Sequence, residues 1–118
     1  DWQKASVTTG KNFVGTGALG PGMVPASQVS DWRALHLSTR VNGAQVQAVT
    51  LDRMIHGIPR LIAFLSQMTP LLPGDVIATG TPEGIGCRRT PPLWLKPGDV
   101  VQVEVPGVGL LSNPVADG

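Results

Sequence analysis

Lys96-Pro97-Gly98-Asp99-Val100-Val101-Gln102-Val103-Glu104-Val105-Pro106-Gly107 decides the fold. Val101, Val103 and Val105 alternate with Gln102 and Glu104, the period of a strand with one dry and one wet face. Pro97-Gly98 suits the centre of a type II turn, where glycine takes the positive φ. Pro106-Gly107 turns the chain again before Val108-Gly109-Leu110-Leu111. The same turn recurs upstream in Leu72-Pro73-Gly74-Asp75-Val76-Ile77, and its β-branched run predicts a strand over 75–78. A tandem repeat would need a third copy and similar linkers, and neither is present.

Further upstream, Leu35 and Leu37 alternate with His36 and Ser38, and Thr39-Arg40-Val41 follows. Val46 and Val49 sit in the next run. Asn42-Gly43 between the two runs predicts a hairpin, because both residues tolerate the left-handed conformation that a tight turn demands. One helix is predicted, over 58–68. Ile58, Leu61, Ile62, Leu65 and Met68 fall on one face, and Ala63 and Phe64 add apolar surface, so the helix is expected to be buried on most sides. Pro59 fits the first turn, and Pro70 and Pro73 end the pattern. Residues 1–30 are rich in glycine and read as irregular.

Composition narrows the function. The 118 residues amount to 12.3 kDa, enough for one domain with a core. Charged residues are 14%, well under the usual ~25%, while 42% are hydrophobic; some surface is expected to meet a subunit or another part of a chain. Nine basic against eight acidic residues give a net charge of +1, with Arg88-Arg89 the densest basic cluster, so nucleic acid is not an expected partner. The apolar runs are too short for a membrane helix, and a membrane is not an expected partner either. Cys87 is the single cysteine, which excludes an internal disulfide and a multi-cysteine zinc site and fits a cytoplasmic location.

Gly15-Thr16-Gly17-Ala18-Leu19-Gly20 has the spacing of a dinucleotide loop, but Pro21 and Gly22 follow where a helix would have to start. His36, His56 and Cys87 match no metal-ligand spacing; His36 is expected to be a half-exposed structural residue, His56 a local hydrogen-bonding one and Cys87 a filler. Lys11, in Thr9-Gly10-Lys11-Asn12-Phe13, reads two ways: a cation that steadies a developing enolate, or a solvated surface lysine. Thr79-Gly80-Thr81-Pro82-Glu83-Gly84-Ile85-Gly86 also reads two ways: an anion loop using the Thr81 hydroxyl and backbone N–H groups, or an ordinary turn.

The ordered set Asp1-Trp2-Gln3, Gly10-Lys11-Asn12-Phe13, Gly20-Pro21, Val41-Asn42-Gly43 with Gln47, Leu72 through Pro82, Pro97 through Val101, and Gly109 with Asn113 resembles the C-terminal portion of the fumarylacetoacetate hydrolase family. Gly22 departs from it, standing where many relatives carry a bulky aromatic. The resemblance implies a β-rich α+β fold, a mixed β-sheet roll with one main helix near 58–68. It implies a Mg²⁺- or Mn²⁺-dependent enzyme that hydrolyses a C–C bond in a 2-oxo or β-diketo (di)carboxylic acid, or isomerises or decarboxylates it, as in aromatic catabolism. Lys11 is then the cation beside the metal, Gln3 a substrate contact, and Gly80 and Thr81 the seat of the substrate carboxylate. A homodimer is implied as well. The family's metal ligands, a Glu-x-Glu pair and an Asp, are expected upstream of Asp1. Residues 1–118 are thus expected to form the C-terminal part of a larger catalytic domain, inactive alone. The rival expectation is a non-catalytic truncated chain or half-subunit.

Overall fold

A computed structural model describes residues 12–117. Its centre is a four-stranded sheet of β1 (His36–Val41), β2 (Ala44–Thr50), β3 (Val100–Val105) and β4 (Gly109–Pro114), in the order β2-β1-β3-β4 and antiparallel throughout. Among the described residues one α-helix, α1, spans Ile58–Leu65. Single 3₁₀ turns at Ala26–Gln28, Trp32–Ala34, Leu51–Arg53 and Gly86–Arg88 shape the connections. This is the β-rich, one-helix architecture expected from the sequence.

The β1–β2 hairpin turns at Asn42-Gly43 with φ of 51° and 82°, as predicted. Asn42 then does more than turn the chain. Its Nδ2 donates to Asp99 Oδ1 at 2.8 Å, and its Oδ1 accepts from the Val100 N–H at 2.9 Å, tying the turn to the start of β3. Register decides the faces. Thr39 stands opposite Gln47 and Val103, Val41 opposite Val101, and Val103 opposite Leu111. Directly paired residues share a face, so Leu37, Val49, Val41, Val101, Val103 and Leu111 lie on one side. Arg40 is on the other, where its Nη1 donates to Glu104 at 2.7 Å.

Val41, 9% exposed, is the only buried hydrophobic residue among those described. Ser38 and Thr39 are buried by position, since β1 is flanked by strands on both sides. The chain's accessible surface is 9518 Å², where a finished globular monomer of this mass has about 6,100 Å². Much apolar surface therefore stays open.

The two Pro-Gly-Asp turns are the same object built twice. The Asp75 N–H donates to Leu72 O at 3.1 Å, and the Asp99 N–H donates to Lys96 O at 3.0 Å. In return Asp75 Oδ2 accepts from the Leu72 N–H and Asp99 Oδ2 from the Lys96 N–H, both at 2.8 Å. Gly74 and Gly98 take φ of 101° and 90°, the positive values that a type II turn requires.

Three expectations need correction. Residues 75–78 form no strand, because no ladder partner is present among the described residues; Val76 is 67% exposed. The helix stops at Leu65, three residues early. Ser66 Oγ donates to Ile62 O at 2.6 Å, and the Gln67 and Met68 N–H groups bond three residues back, tightening the last turn before Pro70. Nor is the helix buried on most sides. Ile58, Leu61 and Leu65 are half-buried, while Ile62, Phe64 and Met68 face out.

Candidate functional site

The site is built from the loop 79–84 and two side chains that hold it to the edge strand β2. A bulge in β2 sets the geometry. Thr39 pairs with Gln47 but Arg40 pairs with Gln45, so Val46 is an extra residue. The inserted residue puts Gln45 and Gln47 on opposite faces, although they are two apart. Gln47 therefore points toward the loop. Its Nε2 donates to Pro82 O at 3.1 Å, with Thr81 Oγ1 and Glu83 O each at 3.3 Å.

Arg89 holds the other end. Its Nε donates to Gly84 O at 3.0 Å, and its Nη2 donates to the carbonyl of the bulged Val46. Gly84 is glycine for two reasons: its φ is 95°, and a Cβ there would stand 2.6 Å from Val46 O. Gly86 makes a similar close approach, since a Cβ there would collide with Leu93 O. The loop is thus clamped by an amide at 81–83 and a guanidinium at 84. Thr81 stays exposed, and its hydroxyl, which accepts from Gln47, has no acceptor among the described residues. Gly80 takes φ of 108°, bringing bare backbone beside it. A clamped loop with an outward hydroxyl and glycine backbone is suited to hold an anionic oxygen.

The sequence singled out Gly80 and Thr81, and the structure places them side by side in this loop. Gln3 and Lys11 lie outside the described residues. His36, on the wet face of β1, and His56 are exposed, and Cys87 is a half-buried free thiol. No helix follows the Gly15–Gly20 glycines; the next regular turn is at Ala26. No group of three or more His, Cys, Asp or Glu side chains able to hold a metal ion occurs among the described residues. An open groove of about 610 Å³ lies elsewhere, lined by Leu65, Pro70, Leu72, Val76 and Ile77. Its lining is apolar apart from Thr69 and Asp75, so it lacks the convergent polar groups that orient a small anion. The roles of Gln47 and Arg89 were not read from the sequence. Arg89 appeared there only as half of a basic pair.

Residues 1–116 match the family described as fumarylacetoacetate (FAA) hydrolase C-terminal. The chain is 41% identical over 118 residues to the oxaloacetate tautomerase Fahd2a, mitochondrial, of Rattus norvegicus, a match covering 98% of this chain and 38% of that protein. The fumarylacetoacetate hydrolase of psychrophilic Exiguobacterium antarcticum superposes with a TM-score of 0.88 at 36% identity, over 92% of this chain and 39% of that one. The maleylpyruvate hydrolase of Sphingobium sp. SYK-6, solved with manganese(II) ion and pyruvate, superposes with a TM-score of 0.75 at 34% identity, over 84% and 35%. The chain therefore spans little more than a third of the length of these relatives. No helix among the described residues is long and apolar enough to cross a membrane. The family match over nearly the whole sequence, the shared fold and the identities agree: this chain belongs to the fumarylacetoacetate hydrolase family.

Proposed function

We propose that the chain is the carboxylate-seating portion of an enzyme that forms an enolate from a 2-oxo dicarboxylic acid, with keto–enol tautomerisation of oxaloacetate as the first assignment. The observation that carries this is the Thr81 loop, fixed by Gln47 and Arg89 with its hydroxyl facing outward. The rat relative's name supports the substrate, and the maleylpyruvate hydrolase relative is likewise named for a 2-oxo acid.

In the proposed reaction a proton leaves C3 of the substrate and a proton is added at the C2 oxygen, so atoms and charge balance. Thr81 and the Gly80 backbone bind a substrate carboxylate. Lys11 steadies the negative charge that develops on the C2 oxygen, and Gln3 contacts the substrate. Family resemblance brings Mg²⁺ or Mn²⁺ with it, and manganese accompanies pyruvate in the Sphingobium structure. The described residues do not fit such an ion. Its ligands are therefore proposed to come from sequence outside these residues, and no step is assigned through it here. A homodimer is part of the proposal, supported by the open apolar surface. The cytoplasmic location expected from Cys87 draws no support from the rat relative, whose name places it in mitochondria.

The test is turnover of oxaloacetate enol by the full-length protein with Mg²⁺. Lys11→Ala is expected to lower kcat by about 10²–10³, the usual loss of one oxyanion-stabilising group. Undiminished turnover in that variant would sink the assignment of Lys11. Calorimetric titration of the 118-residue chain with Mn²⁺ separates the rival reading. Tight stoichiometric binding would show that the ligands lie within the chain.

A further inference from the structure

We infer that Gln47 is a positioning residue that keeps the Thr81 hydroxyl aimed as a donor at the substrate carboxylate; this rests on the carboxylate seat proposed above. A threonine hydroxyl has one proton to give and two lone pairs. A carboxylate can only accept, so Thr81 is useful to it only if that proton points outward. Among the described residues no hydrogen bond takes that proton, and the hydroxyl oxygen accepts from Gln47. Gln47 Nε2 stands against all three oxygens, at 3.1 Å from Pro82 O and 3.3 Å from both Thr81 Oγ1 and Glu83 O. The two carbonyls can only accept, which fixes the amide with nitrogen toward the loop. The two amide protons are shared among Pro82 O, Glu83 O and Thr81 Oγ1, and the share given to Thr81 occupies a lone pair of its oxygen, leaving the hydroxyl proton for the ligand.

The fold arranges this deliberately. Were Val46 accommodated in regular alternation from the turn instead of as a bulge, Val46 would pair with Thr39 and Gln47 with Ser38, carrying Gln47 to the other face, away from the loop. Arg89 binds both the bulged Val46 carbonyl and Gly84 O, so the bulge and the loop are held as one piece.

The experiment uses the full-length enzyme, with KM and kcat measured for oxaloacetate in a double-mutant cycle. Gln47→Met keeps the length of the side chain and removes its donor. It is expected to raise KM about tenfold and leave kcat within about twofold, as for the loss of uniform binding to a charged group. The same tenfold effect is expected in the Thr81→Ser background, which keeps the hydroxyl, and less than a twofold effect in Thr81→Val, which lacks it. Equal effects of Gln47→Met in the Thr81→Ser and Thr81→Val backgrounds would overturn the inference and leave the carboxylate seat standing. A Thr81→Val enzyme with unchanged KM would overturn the seat, and the inference with it. Gln47→Glu gives an independent arm should the methionine variant fail to fold. Its KM, relative to wild type at each pH, is expected to fall several-fold on acidification as the introduced carboxyl gains a proton to donate. A flat ratio from pH 8 to pH 4 would count against the role.

Discussion

The sheet and the segment from α1 to Leu95 are both apolar, yet the one buried hydrophobic side chain among the described residues lies in the sheet. Val41 is 9% exposed between two neighbouring strands, while Phe64, Val76 and Trp94 are 58%, 67% and 62% exposed. Side-chain chemistry does not separate the two regions. What separates them is that every sheet strand meets its ladder partner within reach of a short turn or a tied loop. The 75–78 run has the same turn and the same β-branched character as the start of β3, and it lacks only the partner. Hydrophobic pattern selects the residues to be covered; topology supplies the cover.

The sharpest way to break this contrast is at the junction between the two regions. Gly84→Ala puts a Cβ at positive φ and against Val46 O, so the loop must leave the β2 bulge. A loss of about 3 kcal/mol is expected in urea unfolding, from the backbone strain and the overpacking together. A change under about 0.5 kcal/mol would mean that the loop is not clamped. Next in size is a matched pair. Val41→Ala removes two buried carbons and is expected to cost about 1.6 kcal/mol. Phe64→Ala in the same 118-residue chain removes more carbon but from solvent, and is expected to stay within about 0.5 kcal/mol. If the phenylalanine variant proves the more costly, the helix face is covered and the contrast fails.

What was legible in the sequence was local. Asn42-Gly43 announced its turn, the valines of β3 announced their alternation, and Pro-Gly-Asp announced the same turn in both regions. What was not legible was non-local. Nothing near Val46 marks it as an extra residue, since a bulge shows only against the partner strand. Gln47 reaches a loop more than thirty residues away, and Arg89 reaches back further still. The strand expected over 75–78 failed for the same reason, because period alone cannot say whether a partner stands beside it. The Thr79–Gly86 loop was legible only as a choice between an anion loop and an ordinary turn, with Gly80 and Thr81 singled out by the family resemblance; the clamp that gives the loop a fixed shape was not legible.

A smaller effect probes how the sheet ties in its turn. Asn42→Gly preserves the positive φ and removes only the side-chain bonds to Asp99 and the Val100 N–H. About 1 kcal/mol is expected, because these neutral and charge-assisted bonds are partly replaced by water. Asn42→Ala should cost more by the strain of a Cβ in the left-handed region. Thermal unfolding of the two variants separates the hydrogen bonds from the backbone, and equal costs would show that the glycine-like conformation contributes nothing.

The smallest expected effect lies in the carboxyl of Asp99, where the two copies of the turn part company. Asp75 and Asp99 each accept from a backbone N–H within the turn, but only Asp99 also receives the Asn42 amide. That side-chain bond is the main reason its pKa is held below the ordinary 3.8; the Lys96 N–H adds to the lowering, the nearby Lys96 charge adds a little, and partial loss of water opposes it. A carboxyl whose folded pKa is lowered binds its proton more weakly in the folded chain than in the unfolded one. The stability it contributes is therefore complete above about pH 4 and is lost as pH falls through the lowered value. Asp99→Asn should flatten that part of the acid-unfolding profile. In NMR titration the Asp99 carboxyl of the Asn42→Gly variant should move up toward the ordinary aspartate value. An unmoved midpoint would mean that Asn42 does not hold the carboxyl, and that the sheet-side turn differs from its copy at Asp75 only by address.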